Sequence, residues 1–435
     1  MERFALSRMK EWKENENRKP LIIRGARQVG KTWIMKTFGQ QYFEKTAYVN
    51  FDNNARMKQV FEGDLDIERL VLAISAETGV SIEAENTLII FDEIQEVPKA
   101  LTSLKYFHEN APQYAIVAAG SLLGVALHQG TSFPVGKVDF LDLYPLNFRE
   151  FLYAMGEKQF VSMLDSCDTQ MVTVFKTKYI ERLREYYFVG GMPEVVKDFS
   201  EKKDYNRVRA IQKNLINYYQ QDFSKHAEIK LVPRLNLVWN SIPMQLAKEN
   251  KKYIYGQVRE GSRAKDFELA IQWLLDCGLI HKVQRIQKPD LPLKAYIDFD
   301  AFKLFLVDIG LLIAMTDLDA KVIIEGNKIF TEFKESLTEQ YILQQLISDV
   351  GVIPYYYSTQ NSKGEIDFLV QGKTSVIPIE VKAEENLKAK SLKAFCEKYQ
   401  PSYAVRTSMS DYREQDWMTN IPLYAIKWIE NYVNQ

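Results

Sequence analysis

Cysteine and histidine are scarce in this chain of 435 residues, with three of the first and four of the second. Cys167, Cys277 and Cys396 are scattered and odd in number, which argues against a disulfide framework, and neither they nor the histidines show zinc-ligand spacing. A reducing, cytoplasmic setting is the expectation. Excess charge of one sign is also missing: Lys+Arg 56 stand against Asp+Glu 57. A nucleic-acid surface would therefore have to be a local patch. Long apolar runs are lacking too. The most apolar stretch, Tyr114 to Leu127, is too short for a bilayer and contains Gly120, Ser121 and Gly124. The opening MERFALSRMKEWKENENRKP carries charges every few residues, so neither a signal peptide nor a membrane partner is expected. What remains is 46% hydrophobic and 26% charged, the balance of a globular protein with about two to four domains.

The most informative stretch is RGARQVGKT. Residues Gly25, Ala26, Arg27, Gln28, Val29, Gly30, Lys31 and Thr32 match G-x-x-x-x-G-K-[ST] in full. Such a loop turns backbone N–H groups toward a polyphosphate. Lys31 would reach the β- and γ-phosphates, and the Thr32 hydroxyl would sit on Mg²⁺. Context supports the match, because PLII before it reads as a buried strand and WIMKTF after it as a helix whose N-terminus faces the anion. ATP and Mg²⁺ are the expected cofactors.

TLIIFDEIQE is a second signal: an apolar strand, suited to the middle of a parallel sheet, that ends in two acids. Asp92 is placed to hold Mg²⁺, as the Asp of a Walker B strand does, and Glu93 to polarise a water for attack on the γ-phosphate. A third strand, YAIVAAGS, ends at Ser121, which is either a γ-phosphate sensor or a helix cap. Strands and helices in this order predict a parallel α/β sheet.

The wording around these motifs is more specific than the motifs. RGARQVGKT, LIIFDEIQEVP, AAGS, LDLYPLNFREFL, YYFVGGMPEVV and GEIDFLV…IPIEVK resemble a large bacterial and archaeal family of AAA-type ATPases usually named only "ATP-binding protein". The resemblance covers most of the chain. It implies an α/β fold with an AAA-type P-loop domain, a helical and winged-helix-like middle, and a C-terminal domain similar to restriction endonucleases. On this reading residues 1–160 are the ATPase domain, 161–228 a helical lid-like region, 229–320 a winged-helix-like domain and 321–435 the endonuclease-like domain. AAA assemblies are usually homo-oligomers with an arginine finger supplied by a neighbour. Lys137 stands where the family often has that arginine, and Arg149 is the other candidate. Arg27 would touch either phosphate or a carboxylate.

In the middle, Gly190-Gly191-Met192-Pro193 reads as a hinge or as a tight interhelical turn. Helix, helix, strand from Arg234 to Ile286 is the order of a winged helix. Arg259, Arg263 and Lys265 would then face either DNA or a protein partner, with Glu260, Asp266 and Glu268 opposing the DNA reading.

GEIDFLVQGKTSVIPIEVK predicts a hairpin that brings Asp367 across from Glu380, with Lys382 on the same face. Upstream, FKESLTEQYILQQL predicts an amphipathic helix with Glu335 and Glu339 one turn apart. Glu339, Asp367, Glu380 and Lys382 resemble the PD-(D/E)XK nuclease pattern, in which Asp367 and Glu380 would hold Mg²⁺ and the lysine would orient water. Such a domain is either an active nuclease or a catalytically silent relative. Lys388, Lys390 and Lys393 form either a basic surface beside it or a solvated helix face.

Overall fold

The computed structural model describes residues 2–120, 124, 133–248, 251–324, 331–359, 364–384 and 389–435. They form two compact units, residues 2–144 with 273–279, and residues 145–272 with 280–435. Among the described residues no helix is long and apolar enough to cross a membrane.

The first unit is an α/β layer structure. Its strands are β1 (Leu21–Arg24), β2 (Lys45–Asn50), β3 (Thr87–Asp92), β4 (Ala115–Ala119) and β5 (Asp139–Asp142). They lie in the order β2-β3-β4-β1-β5 and every pairing is parallel. All residues of β3 and β4 are buried, the outcome expected of strands covered on both faces. Phe51, Phe61 and Phe91 meet edge to face on one side of the sheet, with ring centres 5.4 to 5.8 Å apart. The loop after β1 and the acids after β3 both leave the carboxyl edge of the sheet, where open α/β sheets hold ligands.

The second unit combines helices with an eight-stranded mixed sheet. Its strands are β6 (Ile280–Ile286), β7 (Ile297–Leu306), β8 (Tyr355–Ser358), β9 (Glu365–Gln371), β10 (Val376–Val381), β11 (Val405–Ser408), β12 (Arg413–Glu414) and β13 (Thr419–Pro422). The order is β12-β13-β11-β10-β9-β8-β6-β7. The β6–β7 hairpin that follows helices Val232–Leu246 and Ala264–Asp276 is thus continuous with the C-terminal strands, through parallel pairing of β6 with β8.

Gly190 and Gly191 sit in a buried turn between helices Lys176–Val189 and Pro193–Lys202. A Cβ on Gly191 would lie 2.1 Å from the Leu146 carbonyl oxygen, and one on Gly190 would lie 2.2 Å from a carboxylate oxygen of Asp308. Asp308 accepts the Gly191 N–H at 2.6 Å and caps helix Ile309–Met315 through the Leu311 N–H at 3.1 Å. The two glycines are there for close approach.

Helix Thr331–Gln345 departs from the amphipathic expectation, since every residue from Ser336 to Leu346 is buried. Three of its glutamines meet backbone groups far away in sequence. Gln340 both donates to and accepts from Leu306, Gln344 accepts the Ile309 N–H, and Gln345 accepts the Phe148 N–H.

Candidate functional site

β1 delivers the chain into Gly25 with φ 146°, a backbone angle that glycine accepts readily. A Cβ there would lie 2.1 Å from the Leu143 carbonyl oxygen. Gln28 (φ 68°) and Gly30 (φ 94°) are both left-handed, so the loop curls before helix Lys31–Tyr42 begins. That helix is anchored by Ile34, Met35 and Phe38 in the core, which holds its N-terminus against the loop. Gly278, in the same unit, approaches so closely that a Cβ would lie 3.1 Å from the Ala26 nitrogen.

Lys31 is buried, and its ammonium donates to the carbonyls of Gly25 and Ala26 at 2.8 Å each. Burial pushes it down to about 8, against the opposing pull of Glu93 and Asp92. A desolvated ammonium among loop carbonyls gains when an anionic oxygen is offered to it.

Thr32 donates its hydroxyl to the Asp92 carboxylate at 2.6 Å, and the Tyr48 hydroxyl donates to the same oxygen at 2.9 Å. The Glu93 N–H donates to the other oxygen at 3.1 Å. Burial and the Asp92 carboxylate together push the Tyr48 phenol well above its usual range. Tyr48 was not legible as a site residue. Only the register Asn50↔Asp92 brings it beside the end of β3. Glu93 takes a left-handed conformation (φ 50°), which costs a non-glycine residue on the order of 1 kcal/mol and recurs at functional sites. Its carboxylate accepts from the Gln95 amide at 2.6 Å, a second partner that motif reading did not supply.

Thr32 and Asp92 offer hard oxygen donors side by side and so fit Mg²⁺. Ser121 lies outside the described residues. Lys137 pairs with Glu109 at 3.0 Å. Arg149, a finger candidate, is instead gripped through Nε by both oxygens of buried Asp349 at 3.0 and 3.1 Å, and it also pairs with Asp165. A guanidinium committed to a two-oxygen pair with a buried carboxylate is not presented to a neighbour.

In the second unit the predicted hairpin forms: β9 and β10 pair antiparallel, with Phe368 opposite Ile379, so that Asp367 and Glu380 follow as the next pair. Asp367 accepts the Val381 N–H at 2.7 Å. Glu380 is buried and meets Lys382 at 2.9 Å. Two lysines that sequence reading passed over enter the same cluster. Lys251 pairs with Glu339, and Lys303 on β7 lies 2.5 Å from Glu365 and 3.5 Å from Glu339. Burial, reinforced by Glu339, pushes the Asp367 carboxyl up, while Lys251 and Lys303 outweigh burial and draw Glu339 down. As they stand, Glu339 and Glu365 are paired with lysines rather than open to a divalent metal. Among the described residues no three His, Cys, Asp or Glu side chains are placed to hold a metal ion.

Arg259, Arg263 and Lys265 are exposed, as are Glu260 and Glu268. Lys390 and Lys393 are exposed on helix Lys390–Tyr399, and Lys388 lies outside the described residues.

Residues 17–152 match the family model of the AAA domain. The first unit therefore carries an AAA-type P-loop ATPase domain. Residues 180–322 and 334–426 match two domains of unknown function, DUF8612 and DUF4143. No curated protein matches the chain. Among solved structures, the Walker-type ATPase paby2304 of Pyrococcus abyssi is 14% identical, with 72% of this chain and 95% of that one covered at a TM-score of 0.45. The ORC2 protein of Aeropyrum pernix in its ADP form is 13% identical, covering 78% and 93% at 0.31. The ORC1 protein of the same organism, in complex with DNA, is also 13% identical, covering 72% and 91% at 0.26. Likeness at these scores carries no argument about function.

Proposed function

We propose that this chain is a Mg²⁺-dependent ATPase whose turnover gates a nuclease-like C-terminal unit that contacts nucleic acid. The observation that carries the ATPase reading is the convergence of Lys31, Thr32 and Asp92 on one loop, with Glu93 beside them. Lys31 would exchange its carbonyl partners for β- and γ-phosphate oxygens. Thr32 and Asp92 would hold Mg²⁺, which supplies charge neutralisation at the phosphates. Glu93, released from Gln95, would accept the proton of the water that attacks the γ-phosphorus as the bond to ADP breaks.

For the second unit, exposed Arg259, Arg263, Lys265, Lys390 and Lys393 supply the cations that phosphate contact needs. A second reading is favoured by the lysines among Glu339, Glu365 and Asp367: a nucleotide-dependent switch or scaffold for protein partners, with a nuclease-like unit that cuts nothing.

The test is ATP turnover by the purified chain, alone and with single- or double-stranded DNA, with the DNA checked for cutting. Stimulation without cutting fits a gated binding unit. Indifference to both forms of DNA fits the scaffold. Absence of turnover under all conditions overturns the ATPase reading.

A further inference from the structure

The carboxylate cluster of the second unit carries cations of its own. Glu339 carries Lys251 on one oxygen and has Lys303 3.5 Å from the other. Lys303 is fully buried, bound to Glu365 at 2.5 Å, and packed over the Tyr356 ring with 4.9 Å to its centre. Asp367 uses one oxygen on the Val381 N–H. Four buried or half-buried groups, two ammonium and two carboxylate, thus balance one another, and the Asp367 carboxyl feels the charges of Glu339, Lys303 and Lys251.

We infer that Lys251 and Lys303 occupy the place of the divalent cation in this nuclease-like unit, so that the cluster takes up no metal. The inference rests on the nuclease-like reading of the β9–β10 hairpin. Burying a lysine is costly unless it is paired, and here the two lysines are paired with Glu339 and Glu365, whose carboxylates flank Asp367 in the cluster. A divalent ion entering the cluster would meet two ammonium groups at short range in a medium that screens them weakly. It would also need Glu339 to leave both of them. The same two lysines give the cluster a fixed charge, which a metal-loaded site acquires only at sufficient metal concentration.

The experiment is Mn²⁺ titration of the nucleotide-free full chain, followed by electron paramagnetic resonance and by melting temperature. ATP turnover is measured in parallel, so that failure of the ATPase reading is seen separately. The wild-type chain is expected to give the same Mn²⁺ isotherm as Asp367→Asn. Lys251→Met, which leaves Glu339 short of a counter-charge, is expected to gain one Mn²⁺ site and a melting temperature that rises with Mn²⁺. Adding Glu339→Gln should remove both gains. A wild-type site lost in Asp367→Asn overturns the inference, and so does a folded Lys251→Met that gains nothing. If Lys251→Met fails to fold, Lys251→Met/Glu339→Gln, which deletes both partners, is expected to recover the fold. Failure to recover also overturns the inference.

Discussion

The hydroxyl of Thr32 and the carboxylate of Asp92 are 2.6 Å apart, although they stand at the start of a helix and the end of a strand that are far apart in sequence. This contact joins the two halves of the nucleotide motif before any ligand is considered. It makes the first predictions specific.

Replacing Lys31 by Ala should lower affinity for a fluorescent ATP analogue roughly 10- to 100-fold, the worth of charge-assisted hydrogen bonds to phosphate. Glu93→Gln should instead bind ATP well and turn it over roughly 10²-fold or more slowly, because only the proton acceptor is lost. Equal turnover in wild type and both variants would show that the loop does not handle ATP.

Tyr48→Phe removes one of two hydroxyl donors on the same Asp92 oxygen. The loss should be modest, on the order of 1 kcal/mol, because Thr32 still donates. It should appear as a severalfold shift in the Mg²⁺ concentration needed for half-maximal ATPase rate. A Tyr48→Phe chain with an unshifted Mg²⁺ profile would leave the tyrosine a packing role.

Arg149→Lys should destabilise the second unit by roughly 1–3 kcal/mol in denaturant unfolding, because an ammonium cannot span both Asp349 oxygens as the guanidinium does. ATP turnover per folded molecule should be unchanged. A large loss of turnover at unaltered stability would return Arg149 to the role of a finger.

Asp308 makes the pH prediction. Burial outweighs its backbone hydrogen bonds and pushes its carboxyl up from 3.8 to about 6. Between those values the folded state holds a proton that the unfolded state has released. Its contribution is therefore fully present below the unfolded value and is lost as pH rises through about 6. Asp308→Asn removes this titration. It also turns an amide donor toward the Gly191 or Leu311 N–H, so it should destabilise at every pH. The gap between wild type and variant, read from unfolding midpoints, should be widest near pH 4 and narrow by up to about 3 kcal/mol by pH 7, at about 1.4 kcal/mol per unit. A gap that widens with pH would contradict the assignment.

The geometry of the phosphate-loop motif was legible because its residues act through backbone shape and neighbours within the motif. Gly25, Gly30, Lys31 and Asp92 sit where the pattern put them, and so does the pairing that carries Asp367 toward Glu380. What was missed depends on partners far away in sequence. The burial of Gln340, Gln344 and Gln345 was not foreseen, because nothing local announces the Leu306, Ile309 and Phe148 backbone groups that meet them in the core. Lys303 is flanked by Ala301, Phe302, Leu304 and Phe305 in its strand, and only the sheet order reveals Glu365 and Glu339 beside it. Arg149 looked available for the same reason, since its acceptor Asp349 lies two hundred positions on.

The parallel pairing of β6 with β8 bears on how this protein can be divided or inherited. A fragment beginning at residue 321 would keep the β9–β10 hairpin but leave β8 with a bare edge, open to pairing with other chains. It would also leave Glu365 without the Lys303 ammonium and Glu339 without either of its two lysines. The hairpin thus depends on the strands before it for its covered edge and for its charge balance. Recombination that respects the fold would cut ahead of Lys251.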